Sequence, residues 1–331
     1  MTAEPSPVRW AVLGAANIFR ANFLPSLRAA GGGELVVLGS RDRERARELL
    51  AREEVECRIS DYPGALSADD VDAVYVALPN TLHVEWAGAA LRAGKAVLCE
   101  KPLGADLPEV EELVNLARGS SAPLWEAFAF PFHRQYLRAE ELISAGAIGE
   151  LREVVSHFHF PVRRPDNIRW SRELAGGALN DVGCYPVHLA ALLFRQVPGR
   201  ALVSTTPAAS GVDLETSGLL EYGGGLQLLF SSGLARARDT TTRLVGSEGS
   251  LELTDPFHPG AHDTFELRIA GRAGKRERLM TDEPTFAPLL RHIHKVLREG
   301  AAPRHLAIQD SIPTAQALEW VRAAASREPG R

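Results

Sequence analysis

The stretch from Val8 to Phe19, VRWAVLGAANIF, constrains the fold of this chain most, because an apolar run meets there a small-residue turn that opens a helix. Gly14 permits a tight turn, and Ala16 and Asn17 would let backbone N–H groups at the start of the helix face an anion. Only the first glycine of the dinucleotide-binding pattern G-x-G-x-x-G is present, since Ala16 and Phe19 hold the other two places. The turn alone therefore predicts either a phosphate cradle or an ordinary strand-to-helix turn.

The alternation of strand and helix continues after this turn. A helix is expected at 18–30 and another at 81–93, and apolar runs predict strands at 34–39, 71–78 and 96–99. Elements that alternate at this length indicate an α/β fold with a doubly wound parallel sheet, in which ligands bind at the carboxyl ends of the strands. This context favours the phosphate cradle.

The second half of the sequence has a different pattern. From residue 201 onward, short strands of alternating polarity are joined by glycine-containing turns, which predicts a large, open, mostly antiparallel sheet. A chain of 331 residues exceeds what one core usually fills. We therefore expect a Rossmann domain over residues 1–126 and an α+β domain for the substrate and for oligomerisation over residues 127–331.

Composition excludes several classes of partner. The formal net charge is −5 and the basic residues form no tract, which argues against nucleic acid. No apolar run approaches the length of a membrane span, and the first residues lack the apolar core of a secretion signal, so a cytoplasmic location is expected. His157 and His159 could share one face of a strand, but no further ligand follows with suitable spacing, and no metal is expected.

The end of the second strand predicts the choice of cofactor. An NAD-binding unit would place a carboxylate there to accept hydrogen bonds from the ribose, but this chain has Ser40 and Arg41. A hydroxyl and a guanidinium can bind a 2′-phosphate that a carboxylate would repel. NADP is therefore favoured, with NAD possible. The alternative is that Arg41 is one more solvated arginine in an arginine-rich helix start, and Asp42 lies close by.

The run LPNTLHVEWAGAALRAGKAVLCEKPLG resembles the core P-N-x-x-H…G-K-x-V-x-x-E-K-P of the glucose-fructose oxidoreductase and inositol dehydrogenase family, Gfo/Idh/MocA. Pro102 favours an extended conformation at Lys101, which would aim the lysine into the crevice at the end of its strand. The resemblance makes Lys101 the catalytic lysine, and the alternative is a surface lysine. Glu100 would pair with it or contact the ribose, and His83 would lie in the cleft or be structural.

A second run, N-I-R-W…L-A-G-G-A-L-x-D-V-G-C-Y-P, is similar to the dihydrodiol and D-xylose dehydrogenase branch of that family. Asp181, Tyr185 and His188 stand at i, i+4 and i+7 and would share one face of a helix, where burying such polar groups without partners is costly. The alternative is a hydrogen-bonded core tyrosine with a capping aspartate. By the resemblance Tyr185 is the acid-base group, and Arg169 and Trp170 lie on the substrate side.

Between these two runs the family pattern E-A-x-x-x-R-F-H-P reads E-A-F-A-F-P-F-H-R, with Pro131 in the place of arginine and Arg134 in the place of proline. Any role of the missing arginine therefore cannot be transferred. His133 matches the pattern and is a weak candidate for the site.

The resemblance implies hydride transfer between NADP and a hydroxyl-bearing carbon of a sugar or cyclic diol, with Lys101 and Tyr185 meeting beside the nicotinamide. It also implies a homodimer or homotetramer formed through the open face of the second sheet. The alternatives are a non-catalytic NADP-binding regulatory sensor and a sugar–sugar oxidoreductase with tightly bound cofactor. The residues predicted to bind the cofactor are Gly14, Ala16, Asn17, Ile18, Ser40, Arg41, Pro79, Asn80, His83 and Glu100, and those predicted to bind the substrate are Lys101, Asp181, Tyr185, His188, Arg169 and Trp170.

Overall fold

The structure is a computed structural model that describes residues 6–258, 264–271 and 275–326. The chain forms two compact units. The first runs to Gly104 and takes in residues 108–129 and 283–309, and the second holds residues 105–107, residues 130–282 and the chain from Asp310. No helix of the described residues is long and apolar enough to cross a bilayer.

The described residues form fourteen strands and nine α-helices. The strands are β1 (Val8–Leu13), β2 (Gly33–Gly39), β3 (Arg58–Ser60), β4 (Ala73–Val76), β5 (Ala96–Cys99), β6 (Leu124–Glu126), β7 (Leu151–His159), β8 (Arg200–Pro207), β9 (Asp213–Glu221), β10 (Gln227–Gly233), β11 (Thr242–Gly246), β12 (Gly249–Leu253), β13 (Thr264–Gly271) and β14 (Lys275–Met280). The helices are α1 (Leu24–Ala30), α2 (Arg43–Arg52), α3 (Tyr62–Leu66), α4 (His83–Arg92), α5 (Leu107–Arg118), α6 (Arg134–Ser144), α7 (Cys184–Phe194), α8 (Ala287–Glu299) and α9 (Ala307–Ala325).

The sheet of the first unit is parallel, with the strand order β3-β2-β1-β4-β5-β6. The order changes direction between β1 and β4, so the carboxyl ends of these two strands border the crevice where such sheets bind ligands. The predicted doubly wound Rossmann sheet is confirmed. A single π-helical turn, Phe19–Phe23, leads from the crevice into α1.

Helix α8 returns late in the chain to the core of the first unit, and a histidine explains why. The indole Nε1 of Trp10 donates to Nε2 of His294 at 3.0 Å, and His294 Nδ1 lies 2.7 Å from the carbonyl oxygen of Gly31. A ring that accepts at one nitrogen and donates at the other is neutral and fully hydrogen-bonded. His294 therefore fastens α8 to the start of β1 and β2.

The sheet of the second unit has the strand order β14-β13-β12-β11-β7-β10-β9-β8. Its neighbouring strands are antiparallel except β7 and β10, which are parallel. Alternate residues of β7 are buried, among them Val154 and Phe158, and the ring of Phe158 lies against Tyr185 near the start of α7. The predicted open, mostly antiparallel sheet is confirmed, and it presents one face to α7.

Candidate active site

The turn after β1 is the predicted phosphate cradle. Gly14 has φ +107°, and a Cβ there would lie 2.4 Å from the carbonyl oxygen of Ala77. Only glycine fits such a position, so the turn lies close against the end of β4. Ala16 and Ile18 are partly exposed and Asn17 is exposed, with its side-chain oxygen accepting a hydrogen bond from Arg20 at 3.0 Å.

Phe19 explains why the third glycine of the dinucleotide-binding pattern is absent. Its side chain is fully buried, as is that of Phe23 one turn later. The ring of Phe23 stacks on Tyr75 of β4 with 4.3 Å between ring centroids. The first helical turn is thus held on the sheet by aromatic packing, where the pattern usually relies on the close backbone approach that a glycine allows.

Beyond β2, the side chains differ in how free they are to bind a phosphate. The hydroxyl of Ser40 donates to the carbonyl of Asp42 at 2.8 Å and accepts from the N–H of the same residue at 3.2 Å. The Asp42 carboxylate caps α2 by accepting from the N–H of Arg45. Arg41 is exposed and forms no ion pair with any residue that the structure describes. Asp42 is therefore occupied as a cap, and the Arg41 guanidinium is available to an anion.

Lys101 lies two residues after the end of β5, at the same edge of the sheet as the Gly14 turn. The segment around it is fixed on both sides. The Tyr75 hydroxyl donates to Oε1 of Glu100 at 2.5 Å, and Oε1 of Glu126 accepts from the N–H of Leu103 at 2.9 Å. Both carboxylates are buried. Glu100 and Glu126, at the carboxyl ends of β5 and β6, therefore fix the backbone on both sides of Lys101 at the edge of the sheet that borders the crevice.

Pro79 and Asn80, which follow β4, are partly exposed at this edge. His83, three residues further on, is fully buried at the first residue of α4. Its Nδ1 lies 2.8 Å from the carbonyl oxygen of Pro102, and its Nε2 lies 2.9 Å from that of Leu78. His83 thus contacts two backbone carbonyls inside the unit.

Tyr185 is buried in the second unit, with 3% of its surface exposed. Its ring lies in a cluster of aromatic side chains, with centroid distances of 5.1 Å to Phe158, 5.3 Å to Phe257, 5.1 Å to His258 and 6.3 Å to Phe130. The helical turn before Tyr185 is π-helical, Leu179–Gly183, whereas the turn after it belongs to the regular helix α7. The phenol is thus held from several sides by rings that cannot accept its proton, apart from His258.

Asp181 is paired with an arginine from the loop before the helix. The Nε of Arg169 lies 2.5 Å from Oδ2 of Asp181, and the Arg169 guanidinium also lies over the ring of Phe160 at 5.4 Å. The indole of Trp170, in the same helical turn, donates to the carbonyl of Arg164 at 3.0 Å. The structure therefore brings Asp181, Arg169 and Trp170 together at the start of the helix that carries Tyr185.

Two further histidines of the second unit, His188 and His133, have partners inside that unit. His188 is buried, and its Nδ1 lies 2.8 Å from Oγ1 of Thr314, whose hydroxyl donates to the carbonyl of Asp310. His133 caps α6, with Nδ1 accepting from the N–H of Gln135 at 3.3 Å. These positions show what holds each ring, and the substrate role predicted for His188 stays a prediction.

His157 and His159 do lie near each other, as their spacing suggested. Nδ1 of His157 and Nε2 of His159 each lie 2.8 Å from Oγ of Ser231 on the neighbouring strand β10. Within the described parts of the chain, no group of three or more histidine, cysteine and acidic side chains is arranged to hold a metal ion.

The neighbours of Tyr185 are the site residues that the sequence did not reveal. Phe130 lies in the segment that departs from the family pattern, and its ring also contacts Tyr136 and His188. Phe158 is one aromatic residue among several on β7, and Phe257 follows β12 by a few residues. The only signal for them is that aromatic residues cluster near each of these places in the sequence.

Two family profiles match the chain. The first, described as the oxidoreductase family with an NAD-binding Rossmann fold, matches residues 8–128. The second, described as the GFO/IDH/MocA C-terminal domain, matches residues 136–252. Together they cover most of the chain, from β1 into β12.

Named relatives act on sugars. A dTDP-3,4-didehydro-2,6-dideoxy-alpha-D-glucose 3-reductase from Streptomyces violaceoruber is 39% identical over 285 residues, which are 85% of this chain and 83% of that protein. A D-xylose 1-dehydrogenase (NADP(+)) from Haloferax volcanii is 36% identical over 263 residues, which are 78% of this chain and 79% of the relative.

A solved structure has the same fold over nearly the whole chain. It is a 3-ketoreductase from Actinomadura kijaniata in complex with NADP and TDP-benzene, with a TM-score of 0.86 at 32% identity, covering 96% of this chain and 98% of that one. The same enzyme has been solved with one lysine replaced by alanine or glutamate, and with one tyrosine replaced by phenylalanine.

Proposed function

This chain belongs to the GFO/IDH/MocA family of oxidoreductases, and we propose that Lys101 and Tyr185 are its acid-base pair. It is an NAD(P)-dependent oxidoreductase that acts on sugars, and its cofactor is NADP. The observation that carries the proposal is the position of Lys101 two residues after the end of β5, at the sheet edge that also holds the Gly14 cradle. The cradle fits a dinucleotide because its tight turn leads into a helix whose first residues, Ala16 to Ile18, are exposed or partly exposed.

NADP, when bound, supplies the site with a hydride donor or acceptor. In the oxidation direction, the oxygen of Tyr185 takes the proton of the substrate hydroxyl as the carbon loses its hydride. In the reduction direction the same phenol returns that proton to the new alkoxide. A cation favours the phenolate form of a phenol, and this is the role that we assign to Lys101.

The lysine is tested with a matched control, Lys95, at the other end of the same strand. Lys101→Met should reduce kcat by about 10²- to 10⁴-fold, the contribution of a positioned proton-transfer system. Lys95 precedes β5 and donates to the carbonyls of Ala68 and Val71 at 3.0 and 2.8 Å, so Lys95→Met should lower stability and leave kcat unchanged. Turnover is followed by the absorbance of the reduced cofactor. Equal kcat values for the two variants would contradict the proposal. An unmodified protein that binds NADP but turns over no sugar would instead identify a regulatory sensor.

For the substrate, the basic loop before α7 favours a sugar linked to a nucleoside diphosphate over a free aldose. Arg163 and Arg172 are exposed and have no ion-pair partner in the described chain, and Ile168 between them is 51% exposed. Guanidinium groups bind diphosphates, and exposed apolar side chains beside them suit a base. The relatives named as dTDP-sugar 3-reductases agree with this choice, which makes reduction of a keto group the physiological direction.

The substrate choice is tested by comparing keto sugars linked to dTDP with D-xylose, the substrate named for the other relatives. Arg163→Ala and Arg172→Ala should raise KM for the nucleotide-linked sugar by about 10-fold each, as expected for a lost hydrogen bond to a charged group. Free dTDP should inhibit the unmodified enzyme competitively. A preference for free D-xylose, unaffected by dTDP, would instead identify an aldose dehydrogenase.

We further propose that two copies of the chain associate through the open face of the second sheet. Leu202, Leu219, Leu229 and Val155 are directly paired across four neighbouring strands, and none of them is buried. Leu202 is 50% exposed. The ion pair of Arg200 and Glu221 lies beside this row and adds a positive and a negative group to the surface. Such a mixed surface can pair with itself about a two-fold axis.

Association is tested by measuring the molar mass of the protein with light scattering as it elutes from a size-exclusion column. Leu229→Glu should yield a monomer, because it would bury a charge in each half of the interface. Val197 is an exposed apolar residue outside this row, so Val197→Glu serves as the control and should leave the oligomer intact. A monomeric unmodified protein would contradict this proposal alone.

A further inference from the structure

His83 lies between two segments of the first unit that both carry predicted site residues. The carbonyl at its Nδ1 belongs to Pro102, the neighbour of Lys101, at 2.8 Å. The carbonyl at its Nε2 belongs to Leu78, the neighbour of Pro79, at 2.9 Å. The ring is fully buried, so water cannot replace either contact.

Both partners of the ring can only accept hydrogen bonds. A neutral imidazole has one N–H and donates to one of these carbonyls, whereas the imidazolium donates to both. Burial lowers the pKa of His83, the two carbonyls raise it, and the ammonium of Lys101 lowers it again. Because burial has the largest effect, we assign the neutral ring with a single donated hydrogen bond at neutral pH.

Two further contacts hold this segment on either side of Pro102. The Tyr75 hydroxyl holds Glu100 before the lysine, and Glu126 holds the N–H of Leu103 after it. The carbonyl of Pro102 lies between these two attachments and contacts the histidine. The backbone on the carboxyl side of Lys101 is therefore set by a side chain from α4.

We infer that His83 is a positioning residue for Lys101, because the neutral ring donates its single N–H to the carbonyl of Pro102 and so fastens the backbone beside the lysine to the first turn of α4. This inference rests on the proposed function, since it matters only where Lys101 takes part in the reaction. It differs from the cofactor contact that the sequence suggested, because the histidine acts through the backbone from inside the domain. A displacement of about 1 Å at a catalytic group can reduce turnover by about 10²-fold.

The test uses the full-length protein with NADPH and a keto sugar. His83→Phe keeps a planar ring and removes both nitrogens, and kcat should fall by about 10- to 100-fold. His83→Gln keeps one N–H donor and should recover part of this loss. The dissociation constant for NADP, measured by tryptophan fluorescence, should change by less than about threefold, because the cradle and Arg41 are untouched.

A matched control separates positioning from general stability. His294 is also a buried, hydrogen-bonded histidine of the first unit, but it holds the amino ends of β1 and β2. His294→Gln should lower the melting temperature and leave kcat unchanged. If His83→Phe fails to fold, the inference is tested with His83→Gln instead. The primary isotope effect on kcat with C4-deuterated NADPH should then be larger than in the unmodified enzyme, because a misplaced lysine slows the chemical step.

The double variant identifies the route of the effect. In a Lys101→Met background, His83→Phe should cause little further loss of kcat, because both changes remove one function. Additive losses would overturn the inference, as would an unchanged kcat in a folded His83→Phe protein. Full activity of Lys101→Met would overturn the proposed function and this inference together, whereas an inactive Lys101→Met with an active His83→Phe would overturn this inference alone.

Discussion

The predicted site residues are held in different ways in the two units. In the first unit most of them stand at the carboxyl ends of β1, β2, β4 and β5, where the backbone places them. Gly14 cannot be replaced, and Lys101 stands between the hydrogen-bonded side chain of Glu100 and the contacted backbone of Pro102 and Leu103. In the second unit Tyr185 lies near the start of one helix, and side chains from distant segments surround it. A site on strand ends depends on the fold of its sheet, whereas a site on a helix depends on its neighbours.

The comparison predicts that the largest effect comes from the phenol itself. Tyr185→Phe keeps the aromatic packing and removes only the hydroxyl, so kcat should fall by about 10²- to 10⁴-fold while NADP binding stays nearly unchanged. Tyr222 is another buried tyrosine of the second unit, packed edge-on against Phe194 at 4.9 Å. Tyr222→Phe is the matched control and should keep full turnover. An unchanged kcat in Tyr185→Phe would remove Tyr185 from the mechanism.

The next effect concerns the first unit and the cofactor. Arg41→Ala should raise KM for NADP by about 10- to 100-fold and change KM for NAD far less, because the lost hydrogen bonds involve a charged 2′-phosphate. Arg52, exposed at the last residue of the same helix that Asp42 caps, provides the control, and Arg52→Ala should alter neither constant. Equal effects of Arg41→Ala on the two cofactors would identify Arg41 as a surface residue.

A smaller effect is expected from the ion pair that supports the helix of Tyr185. Arg169→Ala should lower kcat/KM by about 10-fold, because it leaves the Asp181 carboxylate, 13% exposed, without its arginine. Arg169→Ala and Asp181→Asn should be non-additive, with a coupling of about 1 kcal/mol or more. The pair of Arg164 and Asp166 in the same loop is 79% and 66% exposed, so Arg164→Ala and Asp166→Asn should be additive.

The sequence predicts the residues at the strand ends of the first unit better than the surroundings of Tyr185 in the second unit. Apolar runs and the residues after them locate β1, β4 and β5, and parallel topology then requires Gly14 and Lys101 to share one edge. The structure places Asp181 in the π-helical turn just before the helix that carries Tyr185, and the shared face of these two residues stays a prediction. The rings around Tyr185 come from residues 130, 158 and 257, which no local pattern connects. The return of α8 to the first unit depends on one histidine and two distant partners, so the sequence pattern does not show it either.

The smallest predicted effect concerns the stability of the first unit and leaves its catalytic residues unchanged. In α8, Nε2 of His292 accepts a hydrogen bond from the N–H of Arg304 at 3.0 Å, which requires the neutral ring. Burial first, and then nearby Arg304, His305 and Lys295, lower the pKa of His292 from 6.5 to about 4. The folded state therefore disfavours the proton, so this contribution to stability is complete above pH 6.5 and is lost as the pH falls towards 4.

Since His292 is only half-buried, solvent screening reduces the expected change to about 1 kcal/mol, or about 2–4 °C in melting temperature for a domain of about 200 residues. His292→Gln removes the titrating group. Between pH 7 and pH 4.5 the melting temperature of His292→Gln should therefore fall by about 2–4 °C less than that of the unmodified protein. Parallel curves for the two proteins would mean that the ring is protonated in both states or in neither, and that the bond to Arg304 contributes nothing to the fold. Turnover at pH 7 should be the same for both, because α8 is fastened at the opposite end of the strands from Lys101.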